Sequence, residues 1–312
     1  MHSIQFGNKK IELGLKRESY LGLAYYFPEA KEHDGNNFTL ELKGNRFELF
    51  EHLNGFGPLL AIYSSGPVIT KRIYSETYFH REKSSILEVD GYHIFNPQSI
   101  SSIWVAEETI SNRLVLSIQF YDLQQRGFLK LCLSTESDLD HFHQWIINLI
   151  DESPDHCTKS SCTSQSSKAH LDKVASKKST YCKKVKECES LSIDPVSLPL
   201  LMRKAKEKNI PLQMQSISPA MRHCETIDFF ETQELSQYAT IEAKGLSVLL
   251  DTKLTHKATL CRPLNEITTP YALNIFGKCN SFHTVLVPAL NMKDRRTTSW
   301  IEDLNKIYQS QA

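Results

Sequence analysis

Two segments of this 312-residue chain read as one supersecondary unit written twice. Residues 117–150 run SIQFYDLQQRGFLKLCLSTESDLDHFHQWIINLI, and residues 272–307 run ALNIFGKCNSFHTVLVPALNMKDRRTTSWIEDLNKI. Trp145 and Trp300 anchor the register, 155 positions apart. The same offset matches Ile118 with Leu273, Phe120 with Ile275, Ile146 with Ile301 and Leu149 with Leu304. A period of this length is too long for a solenoid repeat and about the size of a domain. The chain is therefore expected to be two homologous lobes, and each can be read against the other.

The pattern inside the unit gives its class. In LVLSIQFYD, Leu116, Ile118 and Phe120 alternate with Val115, Ser117 and Gln119, and in FLKLCLS, Leu129, Leu131 and Leu133 share a face. A linker containing Gly127 joins the two runs, which predicts a hairpin with one buried face. Ser134 and Thr135 offer an N-cap to a helix carrying Leu139, Phe142, Trp145, Ile146 and Leu149. Upstream, residues 18–54 read as helical in two pieces, SYLGLAYYF and FELFEHL. PLLAIYSS and PVITKRIY flank Gly66 as a hairpin, and GYHIFNP and SSIWVAEE follow as strands. The second half repeats the order: SLPLLMRKAKEKNIP as helix, PLQMQSIS and AMRHCETI as hairpin, GLSVLLD, YALNIFG and FHTVLVP as strands, then the Trp300 helix. The expected class is α+β, a tandem duplication of a lobe with a large antiparallel sheet flanked by helices. The expected boundaries are 1–153, a linker over 154–195, and 196–312. Between His156 and Ser190, eight lysines face three acidic residues, large apolar side chains are scarce, and four cysteines occur. Such a segment cannot bury a core.

Composition narrows the function. Thirty-six basic residues balance thirty-six acidic ones, so no global field favours nucleic acid or an anionic membrane. The longest apolar runs, such as WIINLI, are too short for membrane insertion. No signal-peptide pattern opens the chain, and eight cysteines then read as reduced thiols, which sets the expected location in the cytoplasm. No P-loop, Rossmann fingerprint, HExxH or GxSxG is present. His156, Cys157, Cys162, Cys182 and Cys188 lack the tight paired spacing of a zinc ribbon or finger. His223 and Cys224 are adjacent on a strand and so point to opposite faces, which argues against a Cys–His dyad.

The element order and several strings resemble the haemin-utilisation family of HemS/ChuX-like proteins. The match rests on SIQFYDLQQRGFLKLCLSTESDLDHFHQWI, where Ser117, Gln119, Phe120, Asp122, Lys130 and Leu133 fall on the family's SxQFFDxxGxxxxKxxL hairpin, with Tyr121 as a conservative change. FELFEHLNGFGPLLAIYSS is similar to its short helix, turn and first strand, and the duplication resembles the two-lobed, haemin-degrading members. The resemblance implies a cytoplasmic haem-binding protein of haem iron utilisation, a carrier or store, with ring-opening oxidoreductase chemistry as a variant. Haem is the implied ligand, and haem donor or acceptor proteins are implied partners. A non-enzymatic interaction or scaffold protein that kept the fold and lost the ligand is the competing class.

The resemblance also nominates residues. The family places a haem-contacting Arg or His on the strand before the long hairpin, and His93 in GYHIFN falls there. A ferric haem takes a neutral nitrogen ligand and an apolar wall. The other reading of His93 is a hydrogen-bonded histidine on a half-buried strand. The repeat offset puts Val248 at its place in the second half, which cannot coordinate iron. The family's second histidine has no matching string here; His156 and His170 are the nearest candidates, and His80 is a neighbour of the first-lobe site. Lys71, Arg72 and Arg81 are candidates to pair haem propionates.

Overall fold

The computed structural model describes residues 3–6, 9–12, 33–42, 44–75, 79–82, 85–88, 93–110, 113–134, 136–151, 188–228, 230–235, 238–263, 272–277, 283–289 and 294–311. In the first half, strands β1 (Ser3–Phe6), β2 (Lys9–Glu12) and β3 (His33–Leu42) precede the short helix α1 (Arg46–Glu51). The strands β4 (Leu59–Ser64), β5 (Val68–Tyr74), β6 (Phe79–Glu82), β7 (Ser85–Glu88) and β8 (His93–Phe95) follow. Then come β9 (Ile100–Ile110), β10 (Arg113–Asp122), β11 (Gly127–Leu133) and helix α2 (Leu139–Asp151). The second half holds β12 (Cys188–Ile193), α3 (Leu198–Glu207), β13 (Leu212–Ile217), β14 (Met221–Ile227), β15 (Glu231–Leu235) and β16 (Tyr238–Ala243). It ends with β17 (Leu246–Asp251), β18 (Thr255–Pro263), β19 (Ala272–Gly277), β20 (His283–Pro288) and α4 (Arg295–Gln311).

The chain divides into two compact units, one of Met1–Ser64 with Lys71–Ser160 and one of Ser65–Thr70 with Ser161–Ala312. Strand order in the first is β5-β4-β11-β10-β9-β3, with a β6-β7-β8 ribbon; in the second it is β14-β13-β20-β19-β18-β12, with a β15-β16-β17 ribbon. The two orders correspond strand for strand, and every described pairing is antiparallel.

Register makes the duplication concrete. Ile118 faces Leu131 and Val105, and 155 positions on Leu273 faces Leu286 and Leu260. Both units carry a bulge at the same place, between Tyr121 and Asp122 against β9 and between Thr255 and Lys257 against β19. Asn96 accepts from the Gln98 amide at 3.2 Å, and its counterpart Asp251 accepts from the Lys253 amide at 2.8 Å. A one-residue slip would turn every core side chain outward, so shared register over three strands means shared core geometry.

One face of each sheet packs under its helices. In the first unit, Phe50 of α1 lies 5.0 Å from both Phe95 and Phe120, and Phe142 and Ile146 of α2 are fully buried. In the second, Leu201 and Met202 of α3 and Trp300 of α4 close over Leu273, Ile275 and Leu286.

Three local expectations need correction. Residues 33–42 are a strand and not helix; bulges near Asn36 break the alternation that would have announced it. The α2 N-terminus is capped by Asp138, whose carboxylate accepts from the His141 amide at 2.8 Å, while Ser134 instead donates to the Pro58 carbonyl. Within the segment expected to be linker, Cys188–Ile193 form strand β12, paired with β18. The SYLGLAYYF helix, His156, His170, Cys157, Cys162 and Cys182 lie outside the described residues.

Candidate functional site

β8 alternates as the sequence required: His93 and Phe95 are buried and Ile94 is exposed. His93 has no solvent exposure. Its ring stacks on Tyr63 with centroids 4.2 Å apart, and its Nδ1 lies 3.1 Å from the Tyr74 hydroxyl. The Tyr74 hydroxyl is in turn 2.7 Å from that of Tyr63. Burial holds the imidazole well below its ordinary pKa, and the Arg72 guanidinium adds to the effect. His93 is thus a neutral, hydrogen-bonded histidine in an aromatic core; it comes from the β6-β7-β8 ribbon and stacks on Tyr63, which shares the helix-covered sheet face with Phe120. Tyr63 and Tyr74 are network members that the sequence reading missed. Their signal was the tyrosine near the end of each strand of the Gly66 hairpin.

The face of the β4-β11-β10-β9 sheet that points away from Tyr63 differs in chemistry. Ser117, Gln119 and Tyr121 project from β10 in one row; Gln119 is paired with Lys130 of β11 and Trp104 of β9, and Tyr121 with Ser102. Tyr121 donates to Gln119 Oε1 at 2.8 Å, and Gln119 Nε2 donates to Ser117 Oγ at 3.3 Å. The row is buried: Gln119 and Tyr121 are each 4% exposed and Lys130 is 7% exposed. Ser102 Oγ is buried with no hydrogen-bond partner among the described residues. Ile62, Phe128 and Leu129 join Gln119, Tyr121 and Lys130 around a crevice of about 10 Å³.

Repeat positions sharpen the contrast. Ser117, Gln119, Tyr121, Lys130 and Cys132 correspond to Ala272, Asn274, Phe276, Val285 and Val287. Ala272, Val285 and Val287 form an apolar cluster. The fold therefore does not need the Ser117 and Tyr121 hydroxyls or the Lys130 ammonium, which only the first copy has, while Asn274 keeps a buried amide at the Gln119 position. Ser117 and Gln119 fall on the resembled family's hairpin string, and the contrast between the two copies marks their row as a candidate site.

The predicted cations separate. Arg72 lies over the Tyr74 ring at 5.4 Å, on the His93 side. Lys71 has opposite parity on β5, so it shares the face of Ile62 and Lys130. Arg81 is exposed and sits 4.3 Å over the Phe47 ring, and His80 is exposed on β6. Val248, the counterpart of His93, is buried in the second core. Among the described residues, no cluster of three His, Cys, Asp or Glu side chains is arranged to hold a metal. No helix among them is long and apolar enough to cross a membrane.

No protein-family model matches the chain, and no curated protein matches it in sequence. Solved structures do match. The haem-degrading enzyme ChuS of Escherichia coli O157:H7 superposes with a TM-score of 0.63 at 12% identity, covering 85% of this chain and 86% of ChuS. The haem-binding protein PhuS of Pseudomonas aeruginosa, in its holo form, gives 0.57 at 15% identity, covering 81% and 82%. The duplicated α+β fold of this chain is thus the fold seen in ChuS and PhuS.

Proposed function

We propose that the chain binds haem in haem iron utilisation, and that the ligand docks on the polar sheet face of the first lobe. The observation that carries this is the buried row Ser117–Gln119–Tyr121 with Lys130, whose counterparts in the other copy are Ala272, Asn274, Phe276 and Val285, so that the two hydroxyls and the ammonium occur only in the first. Burying hydrogen-bonding groups without return is unfavourable, and the second copy keeps the same registers with Asn274 as the one polar member of the row. The haem assignment draws on the likeness to ChuS and PhuS. The residues suit that ligand. Lys130 and Lys71 offer ammonium groups to its two carboxylates, Gln119 and the orphaned Ser102 hydroxyl offer hydrogen bonds, and Ile62 and Phe128 offer apolar contact. Tyr121 supplies a phenol oxygen of the type that ligates haem iron elsewhere. The bound haem would supply the redox or ligand-binding chemistry of its iron. The crevice of about 10 Å³ is far smaller than a porphyrin, so docking requires this face to open.

A second reading keeps His93 as the iron ligand. Its neutral imidazole with Nδ1 anchored by Tyr74 favours it, and its complete burial demands a larger opening. Titrating the protein with haemin and following the Soret band tests both. The expected result is a saturable shift, weakened about 10- to 100-fold in Lys130→Val, the loss of one charge-assisted hydrogen bond, and retained in His93→Ala. A shift lost only in His93→Ala establishes the second reading. No saturable shift in the unaltered protein rejects haem binding. Adding reductant and dioxygen to the complex then separates carrier from degrading enzyme: a carrier keeps its Soret band as long as free haem does.

A further inference from the structure

The duplication exposes a second, unrelated site beside α2. In the second lobe, Lys208 caps the C-terminus of α3. Its ammonium reaches across to α4, 2.5 Å from Ser299 Oγ and 3.2 Å from Asp303 Oδ2. In the first lobe the corresponding C-cap is His52 of α1, and Gln144 and Asn148 occupy the positions matching Ser299 and Asp303. There, among the described residues, no hydrogen bond or ion pair joins His52 to Gln144 or Asn148. His52, Asp138, Asp140, His141, Gln144, Trp145 and Asn148 line an open groove of about 610 Å³.

Two features show what the groove lacks. Gln144 Nε2 donates to Asn148 Oδ1 at 2.8 Å, so one amide bonds the other where the second lobe holds an ammonium. Trp145 is 5% exposed, and its Nε1 donor has no acceptor among the described residues. Its counterpart Trp300 donates Nε1 to the Leu201 carbonyl at 3.4 Å. The orphaned donor is thus peculiar to the lobe with the open groove. A buried, unpaired N–H is unfavourable, and a ligand oxygen would offset it.

We propose that this groove binds a small ammonium compound bearing an oxygen acceptor, of the amino-alcohol or amino-acid class. The ammonium takes the place that Lys208 fills in the second lobe, against Asn148, Gln144 and the exposed carboxylate of Asp140. Asp138 adds negative charge, with one oxygen committed to the α2 cap. The ligand oxygen accepts from Trp145 Nε1. This site shares no residue with the polar sheet face, and its test does not involve haem.

The probe is ethanolamine, titrated into ¹⁵N-labelled full-length protein while the indole N–H resonance of Trp145 is followed. Ethanolamine should move that resonance saturably at millimolar concentration. Ethylene glycol, which lacks the ammonium, should leave it in place, and propylamine, which lacks the oxygen, should bind without the downfield shift of a new hydrogen bond. Asp140→Asn, a surface change, should weaken ethanolamine about 10-fold. An unmoved resonance, an equal response to ethylene glycol, or unchanged binding by Asp140→Asn would each overturn the proposal.

Discussion

His93 shows how one buried group couples to stability. Its folded-state pKa lies well below the ordinary imidazole value, mainly through burial. Above about pH 6.5 it is neutral in both folded and unfolded chains. As pH falls below that, the unfolded chain takes up a proton that the folded one resists, so stability is lost in the acid direction. Denaturant unfolding at pH 7.5 and 5.5 should show this loss, and His93→Gln should reduce the pH dependence. An equal dependence in the variant would show that other groups carry it. Tyr74→Phe should cost roughly 1–3 kcal/mol at pH 7.5, because it removes the hydroxyl between Tyr63 and His93. At this scale the sequence was informative about position and silent about environment. His93 was legible as a strand residue with an inward side chain, but nothing local disclosed the tyrosine of β4 stacked on it.

Among the elements, those with clean alternation were legible: β10, β11, β13, β14 and the two Trp helices. The hidden ones have polar or interrupted patterns. β15 is ETQEL, β3 carries two bulges, and β12 sits beside a Lys- and Ser-rich stretch, so each is defined by its pairing and not by its own composition. The polar row of β10 was visible as a string, but alternation alone reads it as a solvated face. Its burial comes from tertiary structure. The repeated side-chain turn before β9 and β18 offers a local test. Asp251 accepts from the amides of Lys253 and Leu254, so Asp251→Ala should cost about 1 kcal/mol, as capping residues do, by thermal or denaturant unfolding. Asn96→Ala, at the matching position, should behave alike if the two copies are equivalent there. A neutral result in both would mean that the turn holds without its side chain.

For the whole molecule, the duplication preserves frame and diversifies faces. Strand order, register, bulge and turn recur between the units, whereas the polar row, His93 and the α2 groove belong to the first copy. The proposed haem site would then lie in one lobe, with the other lobe as support. The most direct test is the haem stoichiometry of the full chain by native mass spectrometry. The comparison is with Gln119→Asn, Tyr121→Phe and Lys130→Val combined, which gives the first lobe the second lobe's residues. One haem per chain is expected in the unaltered protein and none retained in the triple variant, with its fold intact by circular dichroism. Two haems per chain, or one haem held equally by the folded triple variant, would contradict it.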